Sequence, residues 1–425
     1  MLNYATLRHP AAVKRIVAGF AGFRFFRNCS FHSAIYVPFY IQLGAELSTL
    51  GAIQGTYWLV FAVAEVPLGF FADRCGRRLS VVLGAVIGVF SFLLLSQCTE
   101  VWHLFACTIL MAIGRSLSSG ADSALVSTAL QKAEAASCFP QVESIGWMAR
   151  NAALAISLAA GSLATLYLRI DQIIFLSGLV VVPSILFPLL IAENKNPAAA
   201  DTTIKLAMLR ISREPNRKEI AWLMALLIAL SIPEVTGAWL IQIVMEGVGI
   251  KLEWFGLIYG ATLLISISSY WIERGVSRIR RAIVIGLLFA LGVIFFSASS
   301  MAMSLAGSSG LVLMGLAFVA YGILQGVYFP RIRAWLTECT GDAHRATILS
   351  LASLLSALGL ALANVLVGAL ADALGAIIAL GILGFLMFLL ACLFVRSGLG
   401  SRQSEVWDGW DLAESRGKDA KNTAS

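Results

Sequence analysis

A carboxyl group stands inside a long apolar run at Glu234, in the segment LSIPEVTGAW. No cation lies within a helical turn of it, and Pro233 frees a backbone carbonyl one turn back and bends any helix there. An acid so placed can take up and release a proton as its exposure changes, or sit neutral and hydrogen-bonded to a neighbouring helix. The competing acid for that role is Glu65, which lies nearer a basic loop and is open to pairing with an arginine. In GRSLSSGADSAL, Arg115, Ser118, Ser119 and Asp122 recur at i, i+3, i+4 and i+7, which predicts one helical face. An ionisable pair that deep is costly unless it faces a bundle interior, where it either works or pins two helices together.

Two more groups follow. In FRFFRNCSFHSAIYVPFY, Arg24, Asn28, His32 and Tyr36 repeat every four residues, with Arg27 beside them. That stripe is expected to face a central cavity, its arginines meeting either an anionic ligand group or the acids Glu65 and Glu143. Arg24, Arg27, Arg115 and Arg150 equal Glu65, Asp122, Glu143 and Glu234 in number, a balance that argues against a strongly anion-selective cavity. Later in the chain Trp239, Gln242, Tyr321, Gln325, Tyr328, Ser353, Ser356 and Asn364 are the mid-run polar residues. Aromatic and amide groups at that depth suit an amphipathic organic solute, or they simply fill a helical core.

The elements that must carry these residues are set by composition. Of 425 residues, 59% are hydrophobic and 13% charged, more apolar surface than one soluble core can hide. A membrane-crossing helix needs about 20 apolar residues, and the long runs here are unlike the short alternating strands of a barrel. Twelve spans are predicted, at 16–43, 49–71, 79–99, 101–130, 140–167, 172–192, 219–245, 252–272, 281–303, 309–330, 346–371 and 376–395. The chain then divides into an N-terminal arm (1–15), a six-helix bundle (16–192), a polar linker (193–218), a second six-helix bundle (219–395) and a polar tail (396–425) expected to be disordered. The first run exceeds a signal-peptide core and has no cleavage site, so it is expected to remain in the mature protein.

Lys and Arg fix the expected orientation. Alternate connections and the two ends hold 25 of them, and the opposite set holds only Arg169 and Lys251. Both termini are therefore expected in the cytoplasm, in the cell inner (plasma) membrane. The net charge of +7 is spread over short loops, so no nucleic-acid partner is expected. Seven scattered cysteines indicate neither a disulfide framework nor a metal site. No Walker loop, HExxH or GxSxG occurs, so no cofactor or enzymatic activity is expected, and transport would draw on a gradient.

The loop between the second and third spans reads GFFADRCGRR. Gly69 permits close helix approach, Asp73 ends a span, and Gly76 lets the chain turn before Arg77 and Arg78. The pattern Gly-x-x-x-Asp-Arg-x-Gly-Arg-Arg, in this loop of a twelve-span chain with a central linker, resembles the major facilitator superfamily. The resemblance implies an all-α membrane protein of two pseudo-symmetric six-helix bundles, acting by alternating access and expected to be monomeric. It implies that Gly69, Asp73, Arg74, Gly76, Arg77, Arg78 and Asp122 form a cytoplasmic latch between the bundles. It links Arg115 to proton coupling and makes WIERGVSRIRR, Trp271 to Arg281, a degenerate second copy, with Glu273 and Arg274 in the places of Asp73 and Arg74. RATILS, from Arg345, is a candidate contact for the latch. The expected function is proton-coupled movement of a small amphipathic compound, outward as in the family's efflux members. The competing reading is proton-coupled import or facilitated movement of a nutrient or organic acid, favoured if Arg24 and Arg27 are unpaired; from another class stands a non-transporting membrane sensor, which would usually append a soluble domain. The fifth span, ARNAALAISLAAGSLATLYL, lacks the proline of the motif common in the family's proton-exchanging exporters.

Overall fold

The computed structural model describes residues 8–193, 216–276, 279–305, 307–340 and 345–396, of which 269–276 and 345–347 by backbone alone. The linker beyond Glu193 and the tail lie outside the described residues, as do the side chains of Glu273, Arg274 and Arg345.

Helices make up the described chain. In the first half these are α1 (Pro10–Arg27), α2 (Tyr36–Gln42), α3 (Leu47–Cys75), α4 (Arg77–Leu95), α5 (Val101–Ser118), α6 (Ala121–Lys132), α7 (Phe139–Ala164) and α8 (Ile170–Val181). The second half holds α9 (Arg217–Gly247), α10 (Leu252–Val276), α11 (Arg281–Ser304), α12 (Ser308–Glu338), α13 (Arg345–Leu374) and α14 (Ala376–Arg396). Among the described residues, nine helices are long and apolar enough to cross a membrane, which makes this a multi-pass membrane protein. Their outer faces expose Val63, Phe90, Leu264, Val312, Leu362 and Phe385, surface that a bilayer and not water can cover. Of the twelve predicted spans, those carried by α1–α2, α7 and α10 fall outside the nine. The first is interrupted, and α7 carries Glu143 in its second turn and Arg150 at mid-length.

Two predicted helical faces are broken. The first span ends as a helix at Arg27, turns through a 3-10 segment at Phe31–Ala34 and resumes at Tyr36. Arg24, Asn28, His32 and Tyr36 therefore do not form one stripe. The fourth span breaks at Ser119, and Gly120 adopts φ +74°, a conformation that a residue without Cβ takes readily. Arg115 and Asp122 thus sit on separate helices and not on one face.

The halves meet where α3 begins and α13 ends. A Cβ on Gly51 would stand 2.4 Å from the Asn364 carbonyl oxygen and 2.8 Å from Gly368 Cα, so these backbones touch. On the other side of the same end, Gly256 of α10 lies against the Leu158 carbonyl of α7. The amide of Gln242 completes the seal. Its oxygen accepts from Val37 N (3.1 Å) and its nitrogen donates to Ser33 O (3.2 Å), satisfying backbone that the break in the first span leaves free.

Candidate functional site

At the end bearing the basic loops, the ion pairs of Asp73 and of Arg281 each stay within one half. Asp73 accepts from Arg77 across the Gly76 turn (3.4 Å), and Arg77 also donates to Ala124 O on α6 (3.3 Å). Gly76 turns the chain at φ +114°, and Glu193 closes the loop by accepting from Arg78 N at 3.0 Å. Arg74 is exposed, and Arg78 Nε is buried without a partner. In the second half, Arg281 joins Glu219 (2.8 Å) to Glu338 (2.7 Å). Gly69, expected to permit close approach, is exposed and has nothing within 4 Å of its Cβ position. Asp122, grouped with the latch by resemblance, lies instead against Arg24.

Arg24 is the centre of a half-buried ion network. Its Nε donates to Asp122 Oδ2 at 2.8 Å, and its Nη2 reaches Glu143 Oε1 and Ser123 Oγ at 3.1 Å each. The guanidinium also covers the Phe20 ring at 4.7 Å. Side-chain exposures of 13% for Arg24 and 11% for Asp122 place this pair out of solvent, so it holds α1 to α6 and α7. Asn28 donates back to Arg24 O and caps the helix end (2.7 Å). His32, read as a cavity residue, turns into the first bundle. It is buried beside Ser177 (3.4 Å), with its ring edge-on to Phe92 at 4.9 Å. The break after Arg27 turns it away from the course of the helix.

At mid-depth a second set of polar groups faces inward from both halves. Arg115 is exposed although Gly114 and Ser116 on either side are buried, and Arg27, Glu65, Arg150 and Glu234 are half-buried. Tyr57, Glu65 and Glu234 lie within electrostatic reach of Arg115; Glu234, Tyr259 and Arg115 lie within reach of Arg150. Since Glu234 belongs to α9 and the arginines to α5 and α7, this set of charges spans both halves. Arg115 rests over the Phe61 ring (5.7 Å) and Arg150 over the Trp147 ring (4.9 Å). Glu234 is held on its own side: Tyr328 donates to its carboxylate and Tyr321 to its backbone carbonyl at 2.9 Å. Gln325 leaves its amide oxygen buried and unpartnered. The profile of the Major Facilitator Superfamily matches residues 19–321, about seven-tenths of the chain.

The chain belongs to the Major Facilitator Superfamily. That membership makes it a transmembrane transporter and not an enzyme. Solved members of similar fold include the nucleoside transporter NupG, with 14% identity, a TM-score of 0.73, and coverage of 95% of this chain and 100% of that one. A POT family transporter in complex with a thioalcohol-conjugated peptide shares 15% identity at a TM-score of 0.71, covering 92% and 97%. Another, in complex with 5-aminolevulinic acid, has 14% identity and a TM-score of 0.71 over the same shares. At such identity these structures establish the fold alone. No curated protein matches this transporter significantly in sequence.

Within this fold the remaining expected residues divide. Trp239 is buried inside the second half, donating its indole N–H to Asn364 Oδ1 at 3.0 Å, and Gln242 lies in the seal. Tyr36 receives a hydrogen bond from Gln54 (3.4 Å) and packs edge-on against Tyr40, at the boundary between seal and cavity. Tyr57, Arg150 and Tyr259 were not singled out as site residues from the sequence. The signal for Arg150 was available as a lone cation in a predicted span. A surface recess of about 620 Å³ between Ser48 and Phe105 lies at the sealed end, away from the charged cluster.

Proposed function

We propose that this transporter moves a small organic solute by alternating access and couples the movement to protons through Glu234. The supporting observation is the position of that acid. It follows Pro233 within α9, takes a hydrogen bond from Tyr328 of its own half, and faces Arg115 and Arg150 of the other half across the cavity. A carboxyl at the moving boundary can exchange the tyrosine, the arginines and solvent as partners when the halves rock, which is what a proton carrier requires. The sealed end and the cavity beyond it support an inward-open state, if the basic loops and both termini face the cytoplasm. In this reading Asp73 and Arg77 wait on the first half for the basic end to close. The cavity holds the solute, with Arg27, Arg115, Arg150 and Gln325 around it; Tyr321 and Tyr328, expected in the solute site, are fully buried and hold Glu234 from behind. Export is the direction carried by the resemblance to proton-coupled efflux members, and import of an organic acid competes with it.

The test uses purified protein in proteoliposomes of known sidedness, with a solute panel and a pH indicator inside. Imposed proton gradients should drive solute flux that an uncoupler abolishes. Glu234→Gln should lose proton-driven movement and keep solute exchange at equal concentrations. Wild-type coupling in that variant removes Glu234 from the mechanism and makes Glu65 the next acid to examine.

A further inference from the structure

We propose that the solute carries a negatively charged group and that Arg115 and Arg150 bind it, with Arg27 behind them. The proposal rests on reading the cavity as the transport site and names the substrate class: an organic anion whose carboxylate, sulfonate or phosphate meets guanidinium groups while its apolar body lies among aromatic rings.

Counting residues by type suggested balance, four arginines against four acids. The geometry removes that balance. Arg24 takes both Asp122 and Glu143, at 2.8 and 3.1 Å, so two of the four acids are committed to one arginine outside the cavity. Arg27, Arg115 and Arg150 form no ion pair within 4 Å among the described residues. Glu65 and Glu234 are the acids within reach of Arg115, and Glu234 the one within reach of Arg150, which leaves three cations to two acids. Glu234 is in addition occupied by the Tyr328 hydroxyl.

A guanidinium partly withdrawn from water without a counter-charge is unfavourable and gains from any anion that reaches it. Here two of the three lie over aromatic rings, Arg115 on Phe61 and Arg150 on Trp147, contacts weaker than a bidentate carboxylate or phosphate. An entering anion improves on those contacts without breaking a salt bridge. Arg27 supports this from behind. Its Nε is buried with no hydrogen-bond partner, and its guanidinium packs so tightly against Gly88 that a Cβ there would come within 2.9 Å. Held in place, it adds positive potential to the cavity wall. Trp147 and Tyr57 then supply flat surfaces for an organic body.

Trp147 provides the readout, with its ring 4.9 Å from the Arg150 guanidinium and 5.8 Å from that of Arg24. The experiment measures quenching of its fluorescence by iodide and by caesium, in full-length protein in lipid nanodiscs at constant ionic strength. The Trp147 signal is the difference from Trp147→Phe, and each quencher is normalised to its effect on free N-acetyltryptophanamide. Iodide should be more effective than caesium by about threefold or more, because a cationic cleft concentrates anions. The preference should vanish in Arg115→Gln/Arg150→Gln and persist in Arg150→Lys. If the double variant fails to fold, Arg150→Gln alone should reduce it. Equal quenching, a caesium preference, no quenching by either ion, or an iodide preference that survives loss of the arginines would overturn the proposal. The measurement needs no flux, so its outcome is separate from coupling: an iodide preference without proton-driven transport keeps the anion site and removes Glu234 as carrier. Proton-driven transport with a neutral cavity does the reverse.

Discussion

The two ends of the transporter are held by different chemistry. At the sealed end the halves meet through backbone and small residues, Gly51 on Gly368 and Gly256 on Leu158, with Gln242 bonded to the broken first span. At the basic end the described charged contacts, Asp73 with Arg77 and Arg281 with Glu219 and Glu338, stay inside one half each. Close packing in a bilayer depends on fit and does not change with charge, whereas ion pairs near water can exchange partners at small cost. The difference suggests that one interface opens by losing shape complementarity and the other closes by re-pairing charges. Substitutions should therefore act differently at the two ends.

The largest effect is expected where a charge cannot re-pair. Arg24→Ala leaves Asp122 and Glu143 half-buried without their shared cation, and breaking such a pair costs up to about 3 kcal/mol. Thermal unfolding in detergent should show a loss of several degrees. A variant as stable as the parent would mean that the network is hydrated and only incidental. Next comes Gly51→Leu. Its side chain would start 2.4 Å from the Asn364 carbonyl oxygen, and overpacking of this kind costs about 1–3 kcal/mol, here charged to the sealed state. Modification of a cysteine placed at Ser33 should rise in that variant, since the residue lies under the seal. Unchanged modification would remove Gly51 from the closure.

Much of this contrast was legible in the sequence, and the parts that were not share a cause. Apolar runs, basic loops and the GFFADRCGRR motif gave the family and the helical fold, because hydropathy acts over windows of about 20 residues and tolerates local error. Helix continuity was not legible. The spacing of Arg24, Asn28, His32 and Tyr36 assumed an unbroken helix, yet the chain turns after Arg27 and sends His32 to Ser177. The same assumption joined Arg115 to Asp122 across the bend at Gly120. Pairing is a tertiary property, so composition gave four arginines and four acids while only the fold showed that Arg24 holds two of the acids. Glu234 was found from the sequence because an acid beside a proline in an apolar run is unusual by itself. Its partners Tyr328, Arg115 and Arg150 come from three other helices that no local pattern links to it.

A smaller effect is expected at Gln242. Replacing it by Leu removes the acceptor for Val37 N and the donor to Ser33 O, two hydrogen bonds worth about 1 kcal/mol each. Unlike Gly51→Leu, this variant keeps the backbone contacts, so it should loosen the seal without blocking it. Cysteine modification at Ser33 should rise by less than in Gly51→Leu. An effect as large as that of the glycine would place the seal in the amide and not in the packing.

The smallest effect on stability, and the one that separates the two ends most sharply, is expected for Asp73→Asn. The Asp73–Arg77 pair bridges the Gly76 turn between α3 and α4 with side chains 36% and 26% exposed, and such partly exposed pairs contribute about 0–1 kcal/mol. Thermal unfolding should hardly move. Turnover should fall several-fold all the same, because in the proposed cycle the carboxylate leaves Arg77 and meets the second half each time the basic end closes, an encounter an amide makes without charge. Solute affinity should stay within about twofold, since Asp73 ends α3 two turns beyond Glu65 and outside the cavity. The comparison is made by measuring equilibrium binding and initial flux on the same preparation. Lost binding at unchanged maximal flux would place Asp73 in the solute site. Unchanged binding and flux would leave Asp73 and Arg77 as positive-inside anchoring alone, and the basic end would then have to close by packing, as the sealed end does.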